Sequence, residues 1–394
     1  MPVTSQGDEL QKEPGDHNHG GDAANLEIAK FMDRLRDSSR TTQDTPQYLV
    51  SSLSSSISNG SVGRLPQLSS IKRTIRNDLV IPEVYKQTLS GENFLQFDSG
   101  HLEWESRMLI FATQRSRNAL ERSERWYMDG TFKTVPQIFA QLYTIHGLKD
   151  NLSIPLVYVL LPDKTEGSYS RMLQKIKDLC PTATPSTIMI DFERATANAV
   201  STTFPEATIR GCFFHFCQAV YRRVQVSGLT KRYDTDVDFA LKIRFLNALV
   251  FIPPERVVEA FEELCDNDVF PHEAQNVVDY FEDTWIGRPE RRARRRRAPI
   301  FNHSMWNYFQ SAAAGMPKTN NSVEGWHRSF ESQISATHPS IWKFLEGIRR
   351  EHNLNELRIQ QYRQVRHQSS PKKNIRTPQK ECKGLSEILT QIIF

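Results

Sequence analysis

Cysteine is scarce in this chain, with five in 394 residues at Cys180, Cys212, Cys217, Cys265 and Cys382. An odd, scattered set is no disulfide framework and points to a reducing compartment, cytosol or nucleus. Long apolar runs are missing too: none approaches the roughly 20 residues that cross a bilayer. The start, Met1-Pro2-Val3-Thr4-Ser5-Gln6-Gly7-Asp8, lacks the charged opening and apolar core of a signal peptide. A soluble intracellular protein with no membrane partner is therefore expected. Internal repeats and sustained heptads are absent. No sign of charge dominates, the net being +4. The positives are clustered instead, most densely from Arg288 to Arg297, and clustering decides what a charged surface attracts.

Residues 1–75 are polar, poor in aromatics and rich in serine, as in the run from Ser51 to Gly60. Such composition predicts a disordered tail. A lead-in segment (76–123) follows, with short strands at Phe94–Phe97 and Met108–Ala112. Residues 124–230 carry the strongest pattern. Strands are predicted at Tyr127–Met128, Phe139–Ile145 and Leu156–Leu161, then a helix over Tyr169–Leu179 and a wholly apolar strand at Ile188–Ile190. A helix over Arg194–Thr203, a strand over Thr208–Phe213 and a helix over Phe216–Gln225 complete it. The order predicts an α/β layer fold with a mixed sheet. Residues 231–317 turn all-helical: Phe239, Ile243, Leu246 and Val250 recur at helical spacing up to Pro253-Pro254, and two further helices bury Val257, Val258, Phe261 and Leu264, then Val277, Val278, Phe281 and Trp285. Residues 318–368 hold two more helices, the first from Asn321 to about Ile334. A linker and a short apolar segment (369–394) end the chain.

Three acids stand at the borders of apolar segments: Asp129, Asp191 and Glu324. Each has an ordinary explanation. Asp129-Gly130 is a hairpin-turn dipeptide, Asp191 would cap the next helix, and Asn321-Ser322-Val323-Glu324 has capping-box spacing, with Arg328 one turn on as an ion-pair partner. Together they say more. Both aspartates fall at strand positions of one sheet, where ligands collect at strand ends. Glu324 lies about 100° round its helix from buried Val323, at the border of the core. Three such carboxylates would repel one another without a hard divalent cation, and two ions would serve phosphodiester chemistry.

Cys212-Phe213-Phe214-His215-Phe216-Cys217 is a second constellation. Structural zinc needs four ligands, and no other cysteine has partner spacing, so a packed structural role is favoured over zinc. A place beside the acids, with His215 near phosphate or carrying a proton, stays open. The arginine run (Arg288, Arg291, Arg292, Arg294, Arg295, Arg296, Arg297) reads equally as phosphate contacts or as a solvated loop or nuclear-import signal. Trp126, Trp285, Trp306 and Trp326 are expected in the core rather than stacked on bases.

Four blocks, Trp126–Lys133, Ile190–Ala195, Gly211–Ala219 and Thr319–His327, closely resemble the transposases of Mutator-like elements, over roughly residues 80–350. The resemblance implies an RNase H-like core in which Asp129, Asp191 and Glu324 match a metal-binding acidic triad interrupted by a helical insertion. Cys212 and His215 match the family's Cys-x2-His motif, and Asn320, Asn321 and His327 lie in the block around the third acid as auxiliary residues. It further implies Mg²⁺ or Mn²⁺ as two ions, DNA as partner with no small-molecule substrate, a homodimer pairing two DNA ends, nuclear location, and hydrolysis at transposon ends followed by strand transfer. Relatives often carry an upstream FLYWCH-type zinc-binding module, whereas the first 80 residues here hold no cysteine. A transposase-derived, domesticated or truncated nuclear DNA-binding protein without catalysis is the alternative expectation.

Overall fold

The computed structural model describes residues 5–6, 9–10, 23–41, 44, 46–71, 74, 80–100, 107–149, 152–267, 269–290, 296–313 and 319–368. The chain divides into two compact units, Met1–Val80 and Ile81–Phe394. In the first, helices Ala23–Thr41 and Pro46–Leu53 surround a small core of Phe31, Leu35, Leu49, Ile57 and Ile71. The described part of the stretch expected to be a tail is thus largely helical. Ile28, Phe31, Met32 and Leu35 recur at helical spacing and make one apolar stripe, a local signal that the serine-rich average hides. Two of those serines have a use: Ser58 Oγ and Ser61 Oγ donate to the Glu27 carboxylate at 2.6 and 2.5 Å.

The second unit is built on seven strands: β1 (Leu95–Asp98), β2 (Leu109–Phe111), β3 (Arg125–Thr131), β4 (Gln141–Lys149), β5 (Leu152–Leu161), β6 (Thr187–Ile190) and β7 (Thr208–Gly211). Their order is β1-β2-β5-β4-β3-β6-β7. β3, β4 and β5 form an antiparallel meander, and β6 and β7 add in parallel beside β3. A meander whose first strand then pairs in parallel with the fourth is the RNase H-like arrangement. The lead-in strands β1 and β2 extend the sheet at its β5 edge.

Helix α1 (Gln114–Glu121) leads into β3, and each parallel step is made by a crossover helix, α2 (Glu166–Leu179) before β6 and α3 (Arg194–Thr203) before β7. Side chains alternate across a strand, so one face of the sheet presents Trp126, Met128, Ile145, Val157, Ile188 and Ile190 to the main core with Tyr169, Met172 and Leu173 of α2. Tyr127 and Met189 face the other way. They meet Val323, which belongs to α8 (Asn321–Ile334). A long last helix, α9 (Ile341–Gln368), packs beside α8.

Between β7 and α8 in the chain lies the helical insertion: α5 (Val237–Ala248), α6 (Val257–Asp266) and α7 (Gln275–Phe281), following α4 (Phe213–Val226). The expected buried faces are those observed, except that Val258 is only partly buried. A π-helical turn, Glu282–Ile286, extends α7 and buries Trp285. Trp285 joins Phe192, Phe216, Phe301 and Trp306 in one aromatic cluster, with ring centroids 4.7, 4.6, 5.2 and 6.3 Å away. All four tryptophans singled out in the sequence are core residues.

Arg291–Arg295 and the apolar end of the chain lie outside the described residues. The flanks of the arginine run are anchored rather than free. Arg288 holds Asp283 at 2.5 Å, and Arg296 holds Glu262 at 2.6 Å and Glu282 at 2.7 Å. These two guanidiniums close the base of the loop.

Candidate metal centre

The parallel pairing of β3 with β6 aligns Trp126 with Ile188 and Tyr127 with Met189. Two residues further along each strand stand Asp129 and Asp191, so register sets the aspartates side by side on one face. β6 and β7 then align Ile190 with Gly211, and Cys212 N–H donates to Ile190 O at 3.0 Å. The next residues in line are Asp191 and Cys212. One row at the end of the sheet therefore runs Asp129, Asp191, Cys212.

Their local settings correct the ordinary readings. Asp129-Gly130 lies within β3, opposite Thr144 and Tyr143, and is no turn. Asp191 does not cap α3, whose cap residue is Glu193. Cys212 is not in the strand but is the cap residue of α4, which starts at Phe213 rather than Phe216 and places His215 on its first turn. The capping box fails as well. The cap residue of α8 is Asn320, not Asn321, and its side chain accepts no helix amide. Asn320 Oδ1 instead accepts the Cys212 thiol at 2.9 Å, a fully buried bond between the starts of α4 and α8.

Glu324 follows from that arrangement. Val323 is anchored on Tyr127, Met189 and Cys212, so its neighbour leans over the sheet end. His215 ties the acids together: its Nδ1 lies 2.6 Å from Asp191 Oδ1 and its Nε2 3.7 Å from Glu324 Oε1. Burial disfavours a charged imidazole there, yet hydrogen bonding to Asp191 and Cys212 outweighs it and pushes His215 up to about 10. Burial raises Asp191 above the ordinary carboxylate range, the His215 bond opposes that, and the Asp129 charge adds to it. Glu324 is raised by burial first; His215 opposes and both aspartates reinforce. Asp191 thus feels the charge of Asp129, and Glu324 feels both aspartates. That is the convergence a shared cation needs.

Asp129 is buried, with 7% of its surface exposed. Beneath it runs a chain of hydrogen bonds. Thr144 Oγ1 donates to Asp129 O at 3.3 Å, and its oxygen is 3.1 Å from His146 Nε2, whose Nδ1 is 3.4 Å from Ser153 Oγ. With Thr144 donating upward, His146 donates through Nε2, and in the neutral ring its Nδ1 accepts from Ser153. Burial, then the nearness of His327, holds His146 well below the usual histidine range. His327 Nε2 itself stands 3.4 Å from Asp129 Oδ2. Sequence reasoning missed Thr144 and His146. Their signal is two polar residues at i and i+2 in an otherwise apolar buried strand.

Residues 125–219 match the MULE transposase domain. Inside the matched MULE segment lie Asp129, Asp191, Cys212 and His215; Glu324 and the helical insertion lie beyond it. No curated protein matches the chain. Among solved structures, the Drosophila P element transposase strand transfer complex is similar at 9% identity, covering 86% of this chain and 94% of that one, with a TM-score of 0.33. Among the described residues no helix is long and apolar enough to cross a membrane.

The donor set can be tested against a metal from the side chains themselves. Asp191 Oδ1, Glu324 Oε1, Asn320 Nδ2 and both ring nitrogens of His327 are buried without a well-directed hydrogen-bond partner. Buried polar atoms are normally satisfied. Two buried carboxylate oxygens at one sheet end, Asp191 Oδ1 and Glu324 Oε1, with only the His215 ring between them, are what a hard cation would complete, so the residues fit one.

Proposed function

We propose that this chain is a DNA transposase of Mutator-like type, cutting and joining phosphodiesters with Asp129, Asp191 and Glu324. The observation that carries this reading is the meeting of the three acids. Two come from register-matched ends of neighbouring parallel strands, and the third returns across a helical insertion to the same spot. Asp129, Asp191 and Glu324 would hold Mg²⁺ or Mn²⁺. Bound there, such ions would activate the attacking oxygen and steady the leaving oxygen of a phosphodiester.

The protein's own groups prepare the site. His146, Thr144 and His327 fix Asp129, and His215 spans Asp191 and Glu324. The helices α3, α4 and α8 all begin beside these acids, and none has its first amides taken by its cap side chain. Free amides at a helix start favour an anion, here the DNA phosphate. On this reading DNA is the partner, two copies pair two DNA ends, and the protein acts in the nucleus.

Cleavage and strand transfer on branched or end-bearing DNA, with Mg²⁺ or Mn²⁺, test the proposal. Wild-type protein is expected to be active only with metal, and Asp191→Ala to be inactive. Equal activity in both, or none in either, would leave the DNA-binding protein without catalysis as the better account.

A further inference from the structure

We infer that Cys212, His215 and Glu324 form a second metal site, for Zn²⁺ or another thiophilic divalent ion, overlapping the carboxylate triad at Glu324. One ligand atom from each lies within 4.8 Å of the other two. A tetrahedral ion with bonds of about 2.0–2.3 Å holds its ligand atoms about 3.3–3.8 Å apart. His215 Nε2 and Glu324 Oε1 are already 3.7 Å apart. Little movement is needed to close the set.

The orientation of His215 supplies a second argument. Its Nδ1 faces the Asp191 carboxylate at 2.6 Å, leaving Nε2 directed at Glu324. A carboxylate on one imidazole nitrogen with a metal on the other is the usual outer support of a histidine ligand, fixing ring orientation and raising basicity. Asp191 takes that supporting role here. The third argument is an unsatisfied neighbour: Asn320 is fully buried, its Oδ1 accepts the Cys212 thiol, and its Nδ2 has no partner. Once Cys212 is a metal-bound thiolate it can accept, and a turned Asn320 amide can donate to it.

Ligand chemistry separates this site from that of the triad. A thiolate and an imidazole suit zinc and are poor donors for Mg²⁺, which wants oxygen. Three protein ligands leave a fourth position open to water, as in zinc sites that keep an exchangeable position. The third ligand is contributed by a helix that begins after the whole insertion, so spacing within residues 212–217 could not reveal it. An ion seated here takes Glu324 and locks Asp191 through His215. It would oppose the hard-metal site, a consequence that rests on the function proposed above; the binding itself does not.

The test uses the full, reduced, chelator-treated protein titrated with Co²⁺ and then Zn²⁺. Wild-type protein should develop a thiolate-to-cobalt charge-transfer band, which Zn²⁺ removes and Mg²⁺ leaves. Cys212→Ser keeps a donor for Asn320 and should lose the band with an unchanged circular dichroism spectrum. Cys217→Ser and Asp129→Asn should retain it, and Asp191→Asn should bind about 10–100-fold more weakly. A wild-type protein without the band, a band kept in Cys212→Ser, or one lost in Cys217→Ser would overturn the site. DNA cleavage is read separately: a band without Mg²⁺-dependent cleavage refutes the proposed function alone, and cleavage without a band refutes this site alone.

Discussion

Gly211→Ala is a sharp perturbation placed right beside the site. A methyl at position 211 would stand 2.2 Å from Phe192 Cζ, 2.3 Å from Cε1 and 2.9 Å from Cε2. A ring tip can often swing away, but this one is wedged edge-on against Trp285 at 4.7 Å and Phe301 at 5.2 Å. The strain must then fall on the backbone of Asp191-Phe192-Glu193 or of Gly211-Cys212. Overpacking of this kind costs about 1–3 kcal/mol. With a urea dependence of about 2 kcal/mol per molar, a loss of about 2 kcal/mol moves the unfolding midpoint by about 1 M. The catalytic cost should exceed the stability cost, because both of those segments carry site residues, Asp191 in one and Cys212 in the other, and a displacement near 1 Å can lower a rate about 100-fold. Urea unfolding followed by tyrosine and tryptophan fluorescence, beside metal-dependent DNA cleavage at a denaturant-free stability plateau, reads the two effects separately. Phe192→Leu should partly rescue the alanine variant, since it removes the ring that the methyl meets. A Gly211→Ala protein within about 0.5 kcal/mol of wild type, the ordinary spread of harmless substitutions, with unchanged cleavage, would refute the idea that this packing sets the Asp191 turn.

Two further expectations concern charge. His215, Asp191 and Glu324 all hold protons more tightly in the metal-free fold than in the open chain. Groups with raised folded values contribute stability at low pH and lose it as pH rises, for His215 between about 6.5 and about 10. Metal-free protein should therefore melt progressively lower from pH 6 to pH 10, and Mg²⁺ should restore more stability at the alkaline end; melting curves with chelator that do not fall with pH contradict this. Replacing Arg291, Arg292, Arg294 and Arg295 with alanine should flatten the salt dependence of DNA binding, by about 0.9 in logarithmic slope for each phosphate left without its arginine. Arg296→Ala should instead lower stability by about 1–3 kcal/mol, by stranding the largely buried carboxylate of Glu282; a change in salt slope without destabilisation would reverse that assignment.

What was legible in the chain divides along physical lines. Strand and helix identities in the α/β part followed from period and apolar content, because those segments are buried on both faces or carry one clear stripe; Arg194–Thr203 and Asn321–Ile334 fall where the pattern put them. Boundaries next to the site did not. Cys212-Phe213 looks like the end of an apolar strand, yet the chain turns at Cys212, and nothing in two apolar letters distinguishes a strand's last residue from a helix's first. The two aspartates could be paired from sequence alone, since parallel strands keep register and equal offsets along each give equal positions across the sheet. Glu324 needed an interaction of long range. Its placement depends on Val323 settling among Tyr127, Met189 and Cys212, and on the Cys212–Asn320 bond joining residues 108 apart. Such a bond leaves no periodic trace. The same holds in part for His215: its spacing from Cys212 is visible in the sequence and its reach to Asp191 follows from the β6–β7 register, but its reach to Glu324 exists only once the insertion has folded and brought α8 back to the sheet. The arrangement therefore makes the site's assembly conditional on the insertion's aromatic core, in which Trp285 touches both Phe192, beside Asp191, and Phe216, beside His215.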